Sequence, residues 1–499
     1  MARSIKRNAL ASVLLKVLNI VFPIIVGPYL ARTLGEVEYG EFNRAASAIA
    51  WFLPFASFGV YNYGIRQISR VRNDKEKLSF VFTCLFVMVF FSTITTSLVY
   101  LLYSLLTVDE TYHFLYLVSG FQIFSVMWYV EWMNEAFENY DFILIKTAIL
   151  RVLNIALVFL LVKEADDIVA YAMIISIITF LNYFISFIYI KRKVKFTRIH
   201  FSDLKQYIMP LIAMLLLSNS NMLYTALDRL FLSFQENGVL ITYYTFSSSL
   251  IMMITQVINA LIIVTLPRLS KFLGENKKDE YLRLLRLSSR AFFLLGIPMC
   301  IGLSCFADAV MLCYGGETYL SAGNTLRLFA VRTLLWMADQ SMANQVLFVN
   351  GFERKLTKFY FICGTLNLVL NITLFYNHLY LPEYYVITTM ISECVLVFLE
   401  YRTIKMNIGT EALVIDHHCY KYLLLSLCFL PIYWIGSVLL NYEYILNMGF
   451  IFKTLLLIMI CILVYFVVLY LAKDSIVFEY MNRVLSRFIK SKDNFKTDV

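Results

Sequence analysis

The chain has 499 residues, of which 60% are hydrophobic and only 15% are charged, and its mean hydropathy is +0.71. A soluble protein has too little interior to bury this much apolar surface, so the composition excludes a soluble enzyme or binding domain and indicates a polytopic membrane protein. The net charge of +9 at pH 7 alone would also fit a nucleic-acid-binding protein. Because the basic residues lie mainly in the connectors between apolar segments, they serve as orientation signals, and we expect no nucleic-acid partner.

Fourteen segments approach the roughly 20 mostly apolar residues that a transmembrane helix needs. They lie near 8–31, 43–65, 79–105, 113–134, 143–162, 168–190, 207–233, 240–266, 291–312, 324–349, 357–377, 384–404, 421–440 and 449–472. The tenth is the least clean, because it contains Arg327, Arg332 and Asp339. The sequence therefore predicts an all-α polytopic membrane protein with about 14 transmembrane helices.

Basic connectors alternate with short acidic ones along the chain. The segment 66–77 is basic, and the connector 267–290 carries seven Lys or Arg residues, whereas 107–113 and 163–167 are mostly acidic. Because Lys and Arg are retained on the cytoplasmic side, this pattern predicts that both termini are cytoplasmic. The connector 267–290 is also amphipathic, which predicts a helix along the membrane surface.

Two segments that follow the second and eighth spans are alike. They read "IRQISRVRNDKEKLSF" at 65–80 and "LPRLSKFLGENKKDEYL" at 266–282. Six spans separate them, an even number, so the two copies have the same orientation, as in transporters built from parallel repeats with the substrate path between them. We expect two parallel six-helix bundles around a central cavity, two additional helices and a basic cytoplasmic tail, at 1–198, 199–405, 406–472 and 473–499.

Recognisable catalytic motifs are missing from the sequence. It contains neither a phosphate-binding G-x-x-x-x-G-K-[ST] loop nor an H-E-x-x-H zinc motif. The tetrapeptide "DHHC" at 416–419 is typical of zinc-dependent palmitoyltransferases, but the fifty residues before it contain only Cys394, too few ligands for a zinc domain. The nine cysteines have no zinc-ligand spacing. We expect a protein that is not an enzyme and has no resident metal or cofactor.

Several stretches resemble one family in the same order along the chain. They begin "NALASVLLKVLNIVFPIIVGPYLARTLG" at residue 8, "WYVEWMNEAFENYDFILIKTAILRVLNI" at residue 128 and "LYTALDRLFLSF" at residue 223. They resemble the Wzx-type flippases, which are the polysaccharide transporters of the multidrug/oligosaccharidyl-lipid/polysaccharide exporter superfamily. The resemblance covers about the first 350 residues and thins afterwards.

The resemblance implies a function at the bacterial cytoplasmic membrane. A Wzx-type flippase moves undecaprenyl-diphosphate-linked oligosaccharide from the inner to the outer leaflet by alternating access, for capsule or O-antigen biosynthesis. Its cavity is lined mainly by helices 1, 2, 7 and 8, and its partners include membrane lipids and the polysaccharide polymerase and chain-length machinery. We expect a monomer. The alternatives are an ion-coupled drug or metabolite exporter of the same superfamily and a membrane-embedded transferase, which the lack of a large external loop disfavours.

Candidate substrate contacts are cations for the diphosphate and neutral polar groups for the sugars, because Arg binds phosphate with two parallel hydrogen bonds. The cations are Lys16, Arg32, Arg44, Arg66 and Arg229, and the neutral candidates are Asn19, Asn219, Asn221 and Tyr224. Lys16 is the deepest cation, although a snorkelling lysine or a pair within one bundle explains it equally well. Arg32 and Arg44 also fit ordinary interfacial positions.

Ion coupling, by Na⁺ or H⁺, needs an acidic residue in the path. Asp228 is the first candidate and Glu131 the second, because ionisable groups within membrane spans are costly and often functional. Glu131, Glu135 and Glu138 have the spacing of one helix face, and pairing of this group with Lys146 and Arg151 on the next span is favoured over a role in cation or proton transfer. In the first span, Pro23, Gly27 and Pro28 predict a kink, which either moves during transport or is static.

Overall fold

Every element of the structure, a computed structural model that describes residues 5–218, 222–234, 238–479 and 482, is helical. The α-helices in this part are α1 (Ile5–Ser57), α2 (Val60–Val71), α3 (Lys75–Thr107), α4 (His113–Ser125), α5 (Glu131–Ala136), α6 (Tyr140–Leu161), α7 (Ile168–Lys191), α8 (Phe201–Ser218), α9 (Met222–Ser233), α10 (Val239–Gly274), α11 (Lys278–Cys305), α12 (Ala307–Gly315), α13 (Gly323–Gln340), α14 (Glu353–Tyr376), α15 (Pro382–Asn407), α16 (His417–Leu427), α17 (Phe429–Leu439) and α18 (Met448–Leu471). Short 3₁₀-helices lie at Glu110–Tyr112, Val126–Trp128, Ala165–Asp167, Glu317–Ala322 and Thr410–Ala412, and a π-helix lies at Ser341–Phe348.

Ten helical segments of the described chain are long and apolar enough to cross a membrane. The four remaining predicted spans fall in α1, which holds the first two, in α8 with α9, and in α13 with the π-helix that follows it. The prediction of an all-α, multi-pass membrane protein is confirmed. Helices are expected here because the bilayer interior offers no water to satisfy backbone N–H and C=O groups.

α1 holds both of the first two predicted spans. Its backbone leaves helical geometry at Gly35, whose φ of 73° lies in the left-handed region that glycine adopts without steric cost. The helix continues through Pro23, Gly27 and Pro28. The interruption therefore lies between the two spans, and the gating role of the three helix-one residues stays a prediction.

The connector 267–290 is not a separate surface helix, so that prediction is wrong. α10 extends to Gly274 and α11 begins at Lys278, so the connector is the end of one helix and the start of the next. The turn between them places Asn276 at a φ of 57°, a left-handed conformation that Asn tolerates better than most residues.

The two copies of the sequence repeat have the same local structure. The copy at 65–80 contains a three-residue turn, 72–74, between α2 and α3, and the copy at 266–282 contains a three-residue turn, 275–277, between α10 and α11. Each copy thus ends one helix and starts another.

The fourth predicted span is interrupted. α4 is followed by a 3₁₀ turn and the short helix α5, on which Trp132 is fully buried. A Cβ atom on Gly64 would lie 2.5 Å from the Trp132 ring, so glycine permits α2 and α5 to pack closely. Glu138 lies beyond the end of α5 with a φ of 58°. The predicted common helix face of Glu131, Glu135 and Glu138 is therefore wrong.

Close packing groups the chain into two compact units, Met1–Phe246 with Tyr360–Thr389, and Ser247–Phe359 with Met390–Val499. Phe82 and Trp132 belong to the apolar core of the first unit, and Phe292 and Tyr465 belong to that of the second. The predicted boundaries after residues 198 and 405 divide sequence copies rather than packing units, and they stay a prediction.

Candidate functional site

Asp228 is fully buried in α9 and accepts hydrogen bonds from four neutral side chains. The Tyr244 hydroxyl and the Thr389 hydroxyl donate to its Oδ2 at 2.7 and 2.8 Å. The Asn371 amide donates to its Oδ1 at 2.7 Å, and the Asn367 amide does so at 3.4 Å. These donors come from α10, α14 and α15, so three helices converge on one carboxylate within the first unit.

The same region holds further oxygen atoms. The Thr388 hydroxyl donates to Oδ1 of Asn371 at 2.6 Å, and the Thr389 hydroxyl lies 3.5 Å from Oδ1 of Asn367. Tyr385 is fully buried, and its hydroxyl has no hydrogen-bond partner among the residues that the structure describes. The six hydrogen-bonded residues are referred to below as the Asp228 cluster: Asp228, Tyr244, Asn367, Asn371, Thr388 and Thr389.

The predicted candidate Asp228 therefore belongs to a larger polar group that sequence reasoning missed. Asn367 and Asn371 are one helical turn apart, so they share a face of the apolar helix α14. Two asparagines at this spacing in a membrane helix are a signal that could have found them, because such side chains usually bond to another helix. Their pairing with Asp228, more than 130 residues away, has no local signature.

Arg44 has protein partners on two sides. Its Nη1 donates to both carboxylate oxygens of Glu41, at 2.9 and 3.1 Å, and its Nε donates to the backbone carbonyl of Ser233 at 3.0 Å. One residue earlier, the Asn43 amide donates to the Thr242 hydroxyl at 3.1 Å. These bonds connect the second half of α1 to the end of α9 and to the start of α10.

Glu131, the second coupling candidate, is paired with a buried cation. The Lys146 ammonium contacts its Oε1, and the Ser186 hydroxyl donates to the same oxygen at 2.5 Å. Lys146 is 5% exposed and also donates to the backbone carbonyl of Asn182 at 3.0 Å. The pairing of Glu131 with Lys146 that the sequence favoured is present.

The profile of the family described as polysaccharide biosynthesis protein matches residues 5–273, which is more than half of the chain. The chain belongs to this family. Membership confirms the resemblance to Wzx-type polysaccharide transporters that the sequence motifs indicated.

A protein of Shigella dysenteriae assigned as an O-antigen transporter is 24% identical over 407 residues, which are 80% of this chain and 100% of that relative. A protein of Escherichia coli strain K12 with the same assignment is 24% identical over 170 residues, which are 33% of this chain and 40% of that relative. One of these two relatives thus aligns with most of this chain and the other with a third of it.

Solved transporter structures share the fold. A lipid II flippase, MurJ, in an inward closed conformation has a TM-score of 0.71 at 16% identity, over 94% of this chain and 99% of that chain. An inward-facing multidrug transporter of the MATE family has a TM-score of 0.52 at 15% identity, over 79% of this chain and 94% of that chain. This chain therefore has the same fold as these two transporters.

Two other predicted substrate contacts, Asn19 and Arg66, lie beside different side chains. Asn19 is exposed and accepts a hydrogen bond from Arg151 at 3.2 Å, and the Arg151 guanidinium lies 4.2 Å from the ring centre of Phe22. Arg66 is exposed, and its guanidinium lies 5.5 Å from the ring centre of Tyr63. These two predicted residues are held by separate neighbours in different helices.

Some predicted residues are placed only in part. Arg32 is exposed and Arg229 is half-buried. Lys16 lies in α1 and Tyr224 lies in α9, but both side chains are outside the described part of the structure. Two further candidates lie wholly outside the described residues, namely Asn219 and Asn221.

The "DHHC" stretch starts a helix. Asp416 is the N-cap of α16, and its Oδ1 accepts the backbone N–H of His418 at 2.9 Å while its Oδ2 accepts Nε of Arg290 at 3.1 Å. The ligand atoms of Asp416, His417 and His418 lie within 4.8 Å of one another. The bonds from Arg290 and the helix N-terminus already use this carboxylate, so the stretch has a structural role as a helix cap.

Proposed function

We propose that this chain is a flippase that moves undecaprenyl-diphosphate-linked oligosaccharide from the inner to the outer leaflet of the bacterial cytoplasmic membrane, for surface polysaccharide biosynthesis. The observation that carries the proposal is membership of the polysaccharide biosynthesis family over residues 5–273. The full-length alignment with a relative assigned as an O-antigen transporter supports the same substrate class. The reaction moves the substrate without changing its covalent structure, so the chain acts as a transporter and not as an enzyme.

Alternating access and ion coupling are part of the proposal, with Asp228 as the coupling residue. A carboxylate inside a membrane protein is costly, roughly 3 kcal/mol on insertion scales, and such residues mark ion pathways. The Asp228 cluster adds amide and hydroxyl oxygens to this carboxylate, and oxygen atoms are the ligands that hard cations take. Binding of Na⁺ or H⁺ here drives transport if the ion binds one conformation of the protein more tightly than the other.

Glu131 is the weaker coupling candidate. Its carboxylate is opposed by the Lys146 ammonium, and the Ser186 hydroxyl completes the contact. A charge that is already matched by a fixed cation gains less from a transported cation. We therefore assign Glu131 to the packing of the first unit and Asp228 to coupling.

One predicted cation is paired within the protein, and the others remain proposed contacts for the diphosphate. Arg44 is bound by Glu41 and has little charge left for a phosphate. Lys16, Arg32, Arg66 and Arg229 remain the proposed diphosphate contacts, and the neutral groups of Asn19, Asn219, Asn221 and Tyr224 remain proposed for the sugars. We also propose that both termini are cytoplasmic, on the positive-inside pattern.

A vesicle assay tests the proposed function. The full chain is reconstituted into liposomes that contain lipid-linked oligosaccharide extracted from the organism that encodes it, and a membrane-impermeant oxidant reports how much sugar reaches the outer leaflet. We expect exposure well above that of protein-free liposomes under a Na⁺ or proton gradient. Exposure equal to protein-free liposomes under both gradients contradicts the proposal. If the same vesicles instead transport ethidium, a small organic cation, the alternative of an ion-coupled drug exporter replaces it.

A further inference from the structure

A polar cleft with a volume of about 570 Å³ lies among α1, α3, α4 and the end of α9, within the first unit. The residues that matter for its chemistry are Glu41, Arg44, Tyr103, Asp109, Tyr112 and Tyr116. Small-ligand sites in proteins range from about 300 to 1,000 Å³, so the cleft can hold a ligand of a few sugar rings. Only one of these residues, Arg44, was a candidate from the sequence.

Two tyrosine hydroxyls in the cleft have unused hydrogen-bonding capacity. Tyr116 is only 3% exposed, yet within the described part of the chain no group forms a hydrogen bond with its hydroxyl. The same is true of the Tyr103 hydroxyl with respect to the described residues. Both residues line the cleft, so their hydroxyls can bond to a ligand that enters it.

The charge of the cleft disfavours a phosphate ligand. Arg44 is paired with Glu41, and Asp109 adds a second carboxylate, so the charged residues in the described lining carry a net negative charge. The Tyr112 hydroxyl also lies within 3.4 Å of another carboxylate, that of Glu38. An anionic headgroup would be repelled here, whereas a neutral or amino sugar would not.

The lining does match the chemistry of a sugar. Carboxylates accept hydrogen bonds from sugar hydroxyls, and tyrosine hydroxyls both donate and accept them. Tyrosine rings also offer an apolar face to the C–H side of a pyranose ring, because the side chain is amphipathic. The combination of three tyrosines, two carboxylates and one arginine therefore fits a neutral or cationic glycan.

The predicted topology indicates on which side of the membrane the cleft opens, and therefore at which stage of transport a glycan would reach it. Its lining includes residues of the connector 107–113, which the charge pattern places on the extracytoplasmic side. We infer that this cleft is an extracytoplasmic glycan-binding subsite that receives neutral or amino sugar residues of the oligosaccharide as it leaves the transport path. The source of the sugar rests on the proposed function, whereas the binding chemistry of the cleft does not.

A matched pair of variants tests binding directly. Thr107 and Thr95 are both exposed residues of α3, and the hydroxyl of each donates to the backbone carbonyl four residues earlier. Thr107 lines the cleft, whereas Thr95 lies outside the lining. The probe is the free oligosaccharide released by mild acid from the lipid-linked oligosaccharide of the encoding organism, and the full-length protein is held in lipid nanodiscs. We expect Thr107→Trp to weaken binding by at least about tenfold by filling the cleft, and Thr95→Trp to bind like the wild type.

A third variant asks whether the Tyr116 hydroxyl contacts the glycan. Tyr116→Phe keeps the ring and removes a hydroxyl that has no partner among the described residues, so we expect an unchanged unfolding temperature and glycan binding weaker by about fivefold. The inference is overturned if the wild type does not bind the oligosaccharide, or if Thr107→Trp and Tyr116→Phe both bind it as tightly as Thr95→Trp does.

A transport experiment separates failure of this inference from failure of the proposed function. Vesicles contain either the complete lipid-linked repeat unit or undecaprenyl diphosphate bearing only its first sugar. We expect Thr107→Trp to slow export of the complete unit and to spare the shorter lipid, while Thr95→Trp spares both. If the wild type exports neither lipid, the proposed function fails and the binding measurement alone judges the cleft. If the wild type exports both and Thr107→Trp equals Thr95→Trp, the subsite fails and the flippase stands.

Discussion

Two carboxylates in the first unit, the half-buried Glu131 and the fully buried Asp228, lie in different surroundings. Glu131 contacts the ammonium group of Lys146, whereas the hydroxyls and amides of three helices donate hydrogen bonds to Asp228. A carboxylate opposed by a fixed cation ties helices together. The hydroxyl and amide oxygens around Asp228 add ligands that an ion from solution can use. The comparison teaches that the groups around a carboxylate, and not its burial alone, support the proposed coupling role of Asp228.

The largest effect is expected where the fixed cation is removed. Lys146→Met leaves the half-buried Glu131 carboxylate without its ammonium partner, so we expect the free energy of unfolding to fall by about 3 kcal/mol. Denaturant titration of the purified protein in detergent measures the change. The double variant Lys146→Met/Glu131→Leu should recover most of the loss, because an apolar pair strands no charge. A single variant as stable as the wild type would contradict the role given to this pair.

The next effect concerns the contact that positions α10, which carries Tyr244 of the Asp228 cluster. A Cβ atom on Gly40 would lie 2.4 Å from the carbonyl carbon of Gly238. Gly40→Ala must therefore push the two backbones apart, and we expect a loss of about 1–3 kcal/mol in the free energy of unfolding. Gly274→Ala, at the other end of α10 where a Cβ meets nothing within 4 Å, is the control and should be near neutral. Equal stabilities of the two variants would show that the contact is not tight.

A smaller effect is expected at Asp228 itself. Asp228→Asn keeps the shape of the side chain, and the Tyr244 and Thr389 hydroxyls can accept hydrogen bonds as well as donate them. We therefore expect the free energy of unfolding to change by only about 1 kcal/mol. The same denaturant titration checks this. A loss as large as that of Lys146→Met would erase the distinction between the two carboxylates.

The smallest effect is expected at an exposed carboxylate, which extends the comparison to the surface. Asp74 is the N-cap of α3, and the backbone N–H of Lys77 is the main reason that its pKa lies below the ordinary value of 3.8. A carboxyl group with a lowered pKa stabilises the folded protein above its ordinary pKa and loses that contribution as the pH falls through the folded value. Asp74→Asn, which keeps a good cap, should therefore melt slightly below the wild type at pH 7, and the difference should shrink as the pH falls below 3.8. A melting difference that grows on acidification would contradict this assignment.

The sequence predicts the fold because each membrane span is local. About 20 consecutive apolar residues indicate a membrane-spanning helix independently of the rest of the sequence. Ten such segments lie in the described part of the chain. Pairing of Glu131 with Lys146 was also predictable, since both lie near one turn between adjacent spans. The Asp228 cluster was not, because Asn371 and Thr389 reach Asp228 across more than 140 residues.

The sequence did not predict the glycan cleft or the α5 region, because residue spacing alone did not determine either structure. Tyr103 and Tyr116 sit in apolar spans where tyrosine is expected at a membrane interface, so nothing in the spacing distinguishes a ligand site from an aromatic belt. The shared face predicted for Glu131, Glu135 and Glu138 assumed an unbroken helix. The backbone instead turns at Glu138, so regular spacing in the sequence did not translate into one helix face.

The most direct test of the central claim measures export of lipid-linked oligosaccharide by reconstituted vesicles with and without an imposed Na⁺ or proton gradient. Three proteins are compared: the wild type, Asp228→Asn, and the double variant Glu131→Gln/Lys146→Met, which removes the Glu131 carboxylate together with its cation. We predict that the gradient accelerates export by the wild type and by the double variant, and has no effect on Asp228→Asn. Export by Asp228→Asn that still responds to the gradient as the wild type does would contradict Asp228 as the coupling residue.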